Sequence, residues 1–296
     1  MADLYREEFR GLNAMYKIKP LSLIALLLFT CTVSKSDNKK KEQPRVLFGV
    51  KLHRSAVGIL KEVEEIFGCQ IKEERVGGWR PSLQGESIIN SDGIPIIRVR
   101  DDRKPSELTL VHEMFHLKEW GRGEPTVTIR WDKRLFKESR ELTTSIVQIV
   151  NDAISHYKMY PALRKLGFTP ERENLMAAIQ GAKALKMTPE EAENADQVRG
   201  AATYFKAVIE SNKLSARSKI AHLYKKKGLD LLVQSGEKMI SHVLQGDLQK
   251  PEGYITVLLS CLNRVFERIL RFDFSHWEVG KPQINRAYIS ALAIGS

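Results

Sequence analysis

The apolar pattern of this chain predicts an α+β fold, with a small mixed sheet in the amino-terminal half and an all-helical carboxyl-terminal half. Three observations carry that expectation: turn-bounded apolar runs occupy 46–100, the spacing becomes helical after residue 105, and proline-led helix starts with glycine stops recur beyond residue 166. With 296 residues, 43% hydrophobic and 28% charged, the chain can fill one large core or two smaller ones.

Taken in order, residues 46–53, VLFGVKLH, read as a first strand. Residues 54–68 read as a helix with Val57, Leu60, Val63 and Phe67 on one face and Gly68 at its end. CQIKEERV alternates as a second strand, and ESIINSDGIPIIRV is two apolar runs joined by Asn90, Ser91, Asp92 and Gly93, a hairpin signal. Pro105 and Ser106 open the next helix, with Ser106 as its cap, Leu108, Leu110, Val111, Met114, Phe115 and Leu117 buried, and Gly121 as its stop. A loop is expected over 121–131. Residues 137–160 then form a long helical pattern with Leu142, Ile146, Ile149, Val150 and Ala153 on its apolar face and Pro161 as its stop. Roughly four to six helices are expected across 170–272, with starts at Thr169–Pro170 and Thr188–Pro189, stops at Gly228 and Gly246, and a short irregular tail.

Ahead of these elements, residues 17–33, KIKPLSLIALLLFTCTV, place Lys17 and Lys19 before an apolar run of about a dozen residues, the layout of a secretory signal. The run is shorter than the about 20 residues that a membrane span needs. Residues 1–31 are therefore expected to be a signal or lipoprotein-type segment, with Met1 or Met15 as the start, and 32–45 a polar tether. Leu28, Phe29, Thr30 and Cys31 resemble a bacterial lipobox, although Phe29 and Thr30 stand where small residues are usual. The resemblance implies lipidation of Cys31, export to the bacterial cell envelope, and a lysine-rich tether lying along an anionic membrane surface. Cys69 and Cys261 sit among apolar neighbours and read as free thiols.

The chemistry is concentrated in the second helix, where His112, Glu113 and His116 spell HExxH. Residues four apart share a helix face, so the two imidazoles can hold one metal ion, expected to be a single zinc, and Glu113 can take a proton from a water there. Downstream, Asp152 and His156 are the one pair of metal-type side chains a turn apart on a strongly apolar helix. The third ligand is expected from that pair. His156 is preferred, because three neutral imidazoles leave zinc its full charge, and Asp152 would then accept a hydrogen bond from the other ring nitrogen of His156. Tyr157 and Tyr160 are close enough in sequence to serve as oxyanion donors. His222 and His242 read as structural, and are next in line should neither Asp152 nor His156 ligate.

The succession of strand, helix, strands, HExxH helix and second ligand helix resembles the zincin metallopeptidases over 46–165. Asn151–Asp152 resembles the Asn-Glu step of the gluzincins, one methylene shorter, with His156 where an acidic residue is usual. The metzincin glycine and third histidine would fall at Glu119 and Arg122, so that extension is absent, and the aspzincin pattern is not found around Asp152. The resemblance implies a zincin-like domain over 46–165, a helical region over 166–296, and zinc-dependent hydrolysis of a peptide or protein substrate with Glu113 as general base. In that family a strand beside the site pairs with the extended substrate, and 94–100, IPIIRVR, is the candidate.

Two other readings use the same residues: a membrane-tethered binding module in which Asp152 and His156 both ligate a bracing zinc, and a cytoplasmic regulator with a zincin-like domain. The net charge of +11 is spread along amphipathic helices, as at Lys225, Lys226 and Lys227, rather than gathered with aromatics, so no nucleic-acid partner is expected. No repeat, phosphate-binding glycine loop or nucleophile elbow occurs.

Overall fold

The computed structural model describes residues 45–78, 84–188, 190, 195–211, 214–267, 269–280 and 284–294, and shows the expected α+β class. The expected signal segment, the lipidation site Cys31 and nearly all of the tether lie outside the described residues, as does Pro189. Among the described residues no helix is long and apolar enough to cross a membrane.

Residues 46–53 form not one strand but a minimal hairpin, β1 (Val46–Leu47) and β2 (Val50–Lys51). Phe48 and Gly49 both take positive φ, 50° and 75°, the two-residue turn that reverses the chain there. Helix α1 (Arg54–Phe67) follows as expected and ends on Gly68 in the left-handed conformation. Next come β3 (Lys72–Val76), β4 (Gly85–Ile89) and β5 (Pro95–Arg100). The β4–β5 turn is tied by the Asn90 side chain, which accepts from the backbone N–H groups of Asp92 and Ile94 at 3.0 and 2.8 Å.

These strands pair in the order β3-β5-β4, with β3 parallel and β4 antiparallel to β5. Residues 94–100 therefore cannot be the substrate-pairing edge, because β5 is hydrogen-bonded on both sides. Among the described residues β4 is the edge nearest the HExxH helix. Strand order depends on long-range pairing that a local pattern does not encode.

Helix α2 (Glu107–Gly121) is capped by Ser106, whose hydroxyl accepts from the Thr109 N–H at 3.0 Å. The expected loop after it contains a strand, β6 (Thr126–Trp131). Helix α3 (Lys137–Lys165) runs through Pro161 rather than stopping there. Met159, Tyr160 and Leu163 are buried around the proline, and their packing outweighs the one lost backbone hydrogen bond.

Five helices follow among the described residues: α4 (Pro170–Ala184), α5 (Ala195–Ser211), α6 (Leu214–Lys225), α7 (Asp230–Gln245) and α8 (Pro251–Val265). Beyond them the expected irregular tail is instead two strands, β7 (Leu270–Val279) and β8 (Asn285–Ala293), in a second sheet ordered β6-β8-β7. β8 lies parallel to β6, pairing Thr126 with Arg286, so the end of the chain returns to its middle.

Two apolar clusters result. The smaller joins β1, α1, β5 and α2 to Met159, Tyr160 and Leu163 of α3. The larger joins the later helices and the second sheet to Ile146, Val147, Val150, Ala153 and Ile154 of the same helix. α3 thus belongs to both cores, and its residues 152–158 lie where they meet.

Candidate metal centre

α2 brings His112 and His116 to the face turned away from Leu110, Met114 and Leu117, which are fully buried in the smaller core. Their Nε2 atoms are 3.2 Å apart. α3 delivers His156 against both, with ring centroids 4.7 Å from His112 and 5.4 Å from His116. One ligand atom from each of the three histidines lies within 4.8 Å of the others, and all three rings are half-buried.

This donor set fits a metal ion. Two nitrogens each about 2.0–2.1 Å from a tetrahedral metal stand about 3.3 Å apart, close to the spacing of His112 and His116. Burial, followed by the charges of His156 and His116, holds His112 well below the usual imidazole pKa. Burial also lowers His116, and with the Lys206 charge it holds His156 well below. The rings are thus kept neutral, the form that ligates. The cluster can hold a metal ion.

Glu113 points toward β4. It is buried, and Ser87 of β4 lies beside its carboxyl. Burial raises its pKa to about 8 against the lowering effect of Ser87, with the charge of Asp152 adding to the rise. Gly85 makes the approach of β4 possible: a Cβ there would meet Thr109 Cγ2 at 2.9 Å and Glu113 Cγ at 3.1 Å.

His156 Nδ1 is bonded to Glu210 Oε1 at 2.5 Å, and the same oxygen receives Lys206 Nζ at 2.5 Å. This corrects the expectation for Asp152, which was to accept that bond. Asp152 shares a face of α3 with His156, but its side chain is exposed beside the cluster and outside the ligand set. The protein around it still raises its pKa through desolvation, partly offset by the Lys206 and His116 charges. Glu210, on α5, is not singled out by the sequence, where a lysine and a glutamate four residues apart are ordinarily a surface pair; the flanking Val208 and Ile209, both buried, are the available signal.

The two tyrosines expected as oxyanion donors have different surroundings. Tyr160 is 2% exposed, stacks on His156 at 5.3 Å, and its hydroxyl accepts from Asn174 Nδ2 at 2.6 Å. Tyr157 lines a cavity of about 380 Å3 with Val243, Leu244 and Gln249, on the side of α3 facing the α7–α8 turn. His222 and His242 lie on α6 and α7, outside the cluster, and His242 lines a separate cavity of about 530 Å3 that includes none of the three histidines. Asn151 accepts from the Tyr254 hydroxyl, at 3.0 Å on its side-chain oxygen. Cys69 and Cys261 are free, as expected, with burial pushing the Cys261 thiol up to about 12.

A second polar group lies one turn along. Lys158 Nζ is 2.8 Å from both Glu119 and Glu124, and Glu124, 6% exposed, also accepts from Ser155 Oγ at 2.8 Å. No protein-family model, curated protein or solved structure matches this chain.

Proposed function

We propose that this chain is a zinc-dependent metallopeptidase of the zincin type, exported and lipid-anchored through Cys31. The observation that carries the reading is the convergence of His156, forty residues downstream, on the two HExxH histidines, with Glu113 next to His112 on the same helix. Three imidazole donors are a ligand set of catalytic zinc, in which a fourth position stays available to water or substrate.

His112, His116 and His156 would hold the metal, which when bound supplies Lewis acidity to water and to a carbonyl. Glu113 accepts the proton of the attacking water and passes it to the leaving amine. Ser87 on β4 lies beside that carboxyl and favours its charged form. The β4 edge, rather than β5, is the strand beside which an extended peptide can add its own backbone hydrogen bonds.

The test is Glu113→Gln. The variant should retain one zinc per chain by elemental analysis while hydrolysis of a denatured protein or peptide library falls by about 10²–10⁴-fold, the usual weight of a general base. Unchanged turnover removes Glu113 from the mechanism. Full zinc occupancy in a wild-type chain without hydrolysis would favour a metal-braced binding module. Mass spectrometry of the native chain checks the other half: a mature protein that retains Met1 or Met15 contradicts processing at Cys31.

A further inference from the structure

Resting on the metal centre above but independent of any hydrolytic activity, we infer that the helical half of the chain is part of that centre, with Glu210 as the positioning residue for His156. The carboxylate of Glu210 meets His156 Nδ1 at 2.5 Å, leaving Nε2 as the nitrogen free to ligate. A neutral imidazole carries one proton, and a carboxylate on Nδ1 keeps it there. Nε2 is thereby a lone-pair donor, and the ring cannot flip without breaking the bond. Glu210 is 8% exposed and is itself held from one turn earlier on α5 by Lys206 Nζ at 2.5 Å. It has little freedom to move away from the imidazole.

The consequence reaches beyond one side chain. α2 brings its two histidines from the smaller core, whereas Glu210 is flanked by Val208 and Ile209, which are buried in the larger. α5 packs along α3 and carries Ala201, Ala202 and Phe205 into the larger cluster. Metal uptake therefore favours a seated α5, and a seated α5 presents the third ligand in ligating form. By reciprocity, anything that displaces α5 weakens metal binding by the same factor that metal strengthens its seating.

The experiment is a titration of the full chain with Zn2+, and separately with Co2+ followed by its visible spectrum, in wild type and in two variants. Glu210→Gln keeps the shape and an acceptor oxygen but loses the charge. Glu267→Gln removes another helical-half carboxylate, one that pairs with Arg264 of α8 at 2.7 Å. E210Q should weaken metal affinity by about 10–100-fold and shift the Co2+ spectrum, while E267Q changes neither. Hydrogen exchange should show α5 amides more protected with metal than without in wild type, and the difference should shrink in E210Q. Circular dichroism of the metal-free variants confirms that they fold; should E210Q not fold, Glu210→Asp, which keeps the charge on a shorter arm, takes its place and should also bind metal more weakly.

Equal affinity for wild type and E210Q overturns the role of Glu210, and an equal loss in E267Q reduces it to general stability. A fall in E210Q alone, in a chain that hydrolyses nothing, supports Glu210 and counts against the peptidase reading. A wild-type chain that takes up neither ion removes the centre and this inference with it.

Discussion

Metal uptake should stabilise the chain by an amount that identifies its ligands. An ion that binds only the folded chain, at a free concentration about 1,000 times its dissociation constant, adds about 4.1 kcal/mol. Each kcal/mol raises the midpoint of a domain of about 250 residues by about 2–4 °C, giving an expected rise of about 8–16 °C. His156→Ala leaves only two imidazoles to ligate and should lose nearly all of this rise. Asp152→Ala removes an exposed charge that makes no hydrogen bond to His156, so its effect on affinity should stay below about 1 kcal/mol, under tenfold. Scanning calorimetry at fixed free Zn2+, with each variant compared with its own metal-free form, separates ligand loss from plain destabilisation. A full rise in H156A, or a D152A variant that loses as much as H156A, would refute the assignment; the latter would make Asp152 the ligand.

Two further outcomes follow from the same contacts. Ser87→Ala removes a polar neighbour of the Glu113 carboxyl, one that lowers its pKa, and should reduce turnover by about fivefold, close to 1 kcal/mol for one polar contact, without changing zinc stoichiometry; a KM effect with unchanged kcat would contradict it. Lys158→Met strands the buried Glu124 carboxylate and should cost about 3–5 kcal/mol in urea unfolding. Burial pulls the Lys158 pKa down, but the charges of Glu124 and Glu119 outweigh it and hold the group above its ordinary 10.5. Its contribution to stability is therefore complete below pH 10.5 and is lost as the pH rises through the folded value. The K158M variant should lack that alkaline decline, and a decline as steep as in wild type would assign it to other groups.

Much of the centre was legible in the sequence because its parts are local and periodic. HExxH states its own helix, and the Asp152–His156 pair stood out as polar residues on an apolar helix. The Asn90 to Ile94 turn and the Ser106 cap were readable for the same reason, since their bonds close within four residues. What was not legible depends on partners far away in the chain. β6 is a strand because Thr126 to Trp131 pair with Arg286 to Ala291, and neither segment declares the other. The internal place of β5 depends on β3 and β4 on its two sides. The position of Glu210 is of the same kind: four residues from Lys206 it looks like a solvated pair, and only the packing of α5 along α3 turns it inward. Pro161 failed as a stop because burial of its neighbours outweighs a rule that concerns one hydrogen bond.

The arrangement around α3 also bears on why the chain keeps so many ionisable groups inside. Both cores lean on this one helix, and a wholly apolar seam between them would fuse them into one. Such seams are commonly as stable as buried ion pairs of the same volume, or more so. Here the seam carries the three histidines, the Lys206–Glu210 pair and the Glu119–Lys158–Glu124–Ser155 group instead. Glu210 and Glu124 are each buried, and each is bonded to two partners, so desolvation is offset rather than left open. Stability alone would select against that composition. Glu210, held by Lys206 on one side and turned toward the imidazole of His156 on the other, is such a group in a costly place, the arrangement expected where binding rather than stability alone sets the composition.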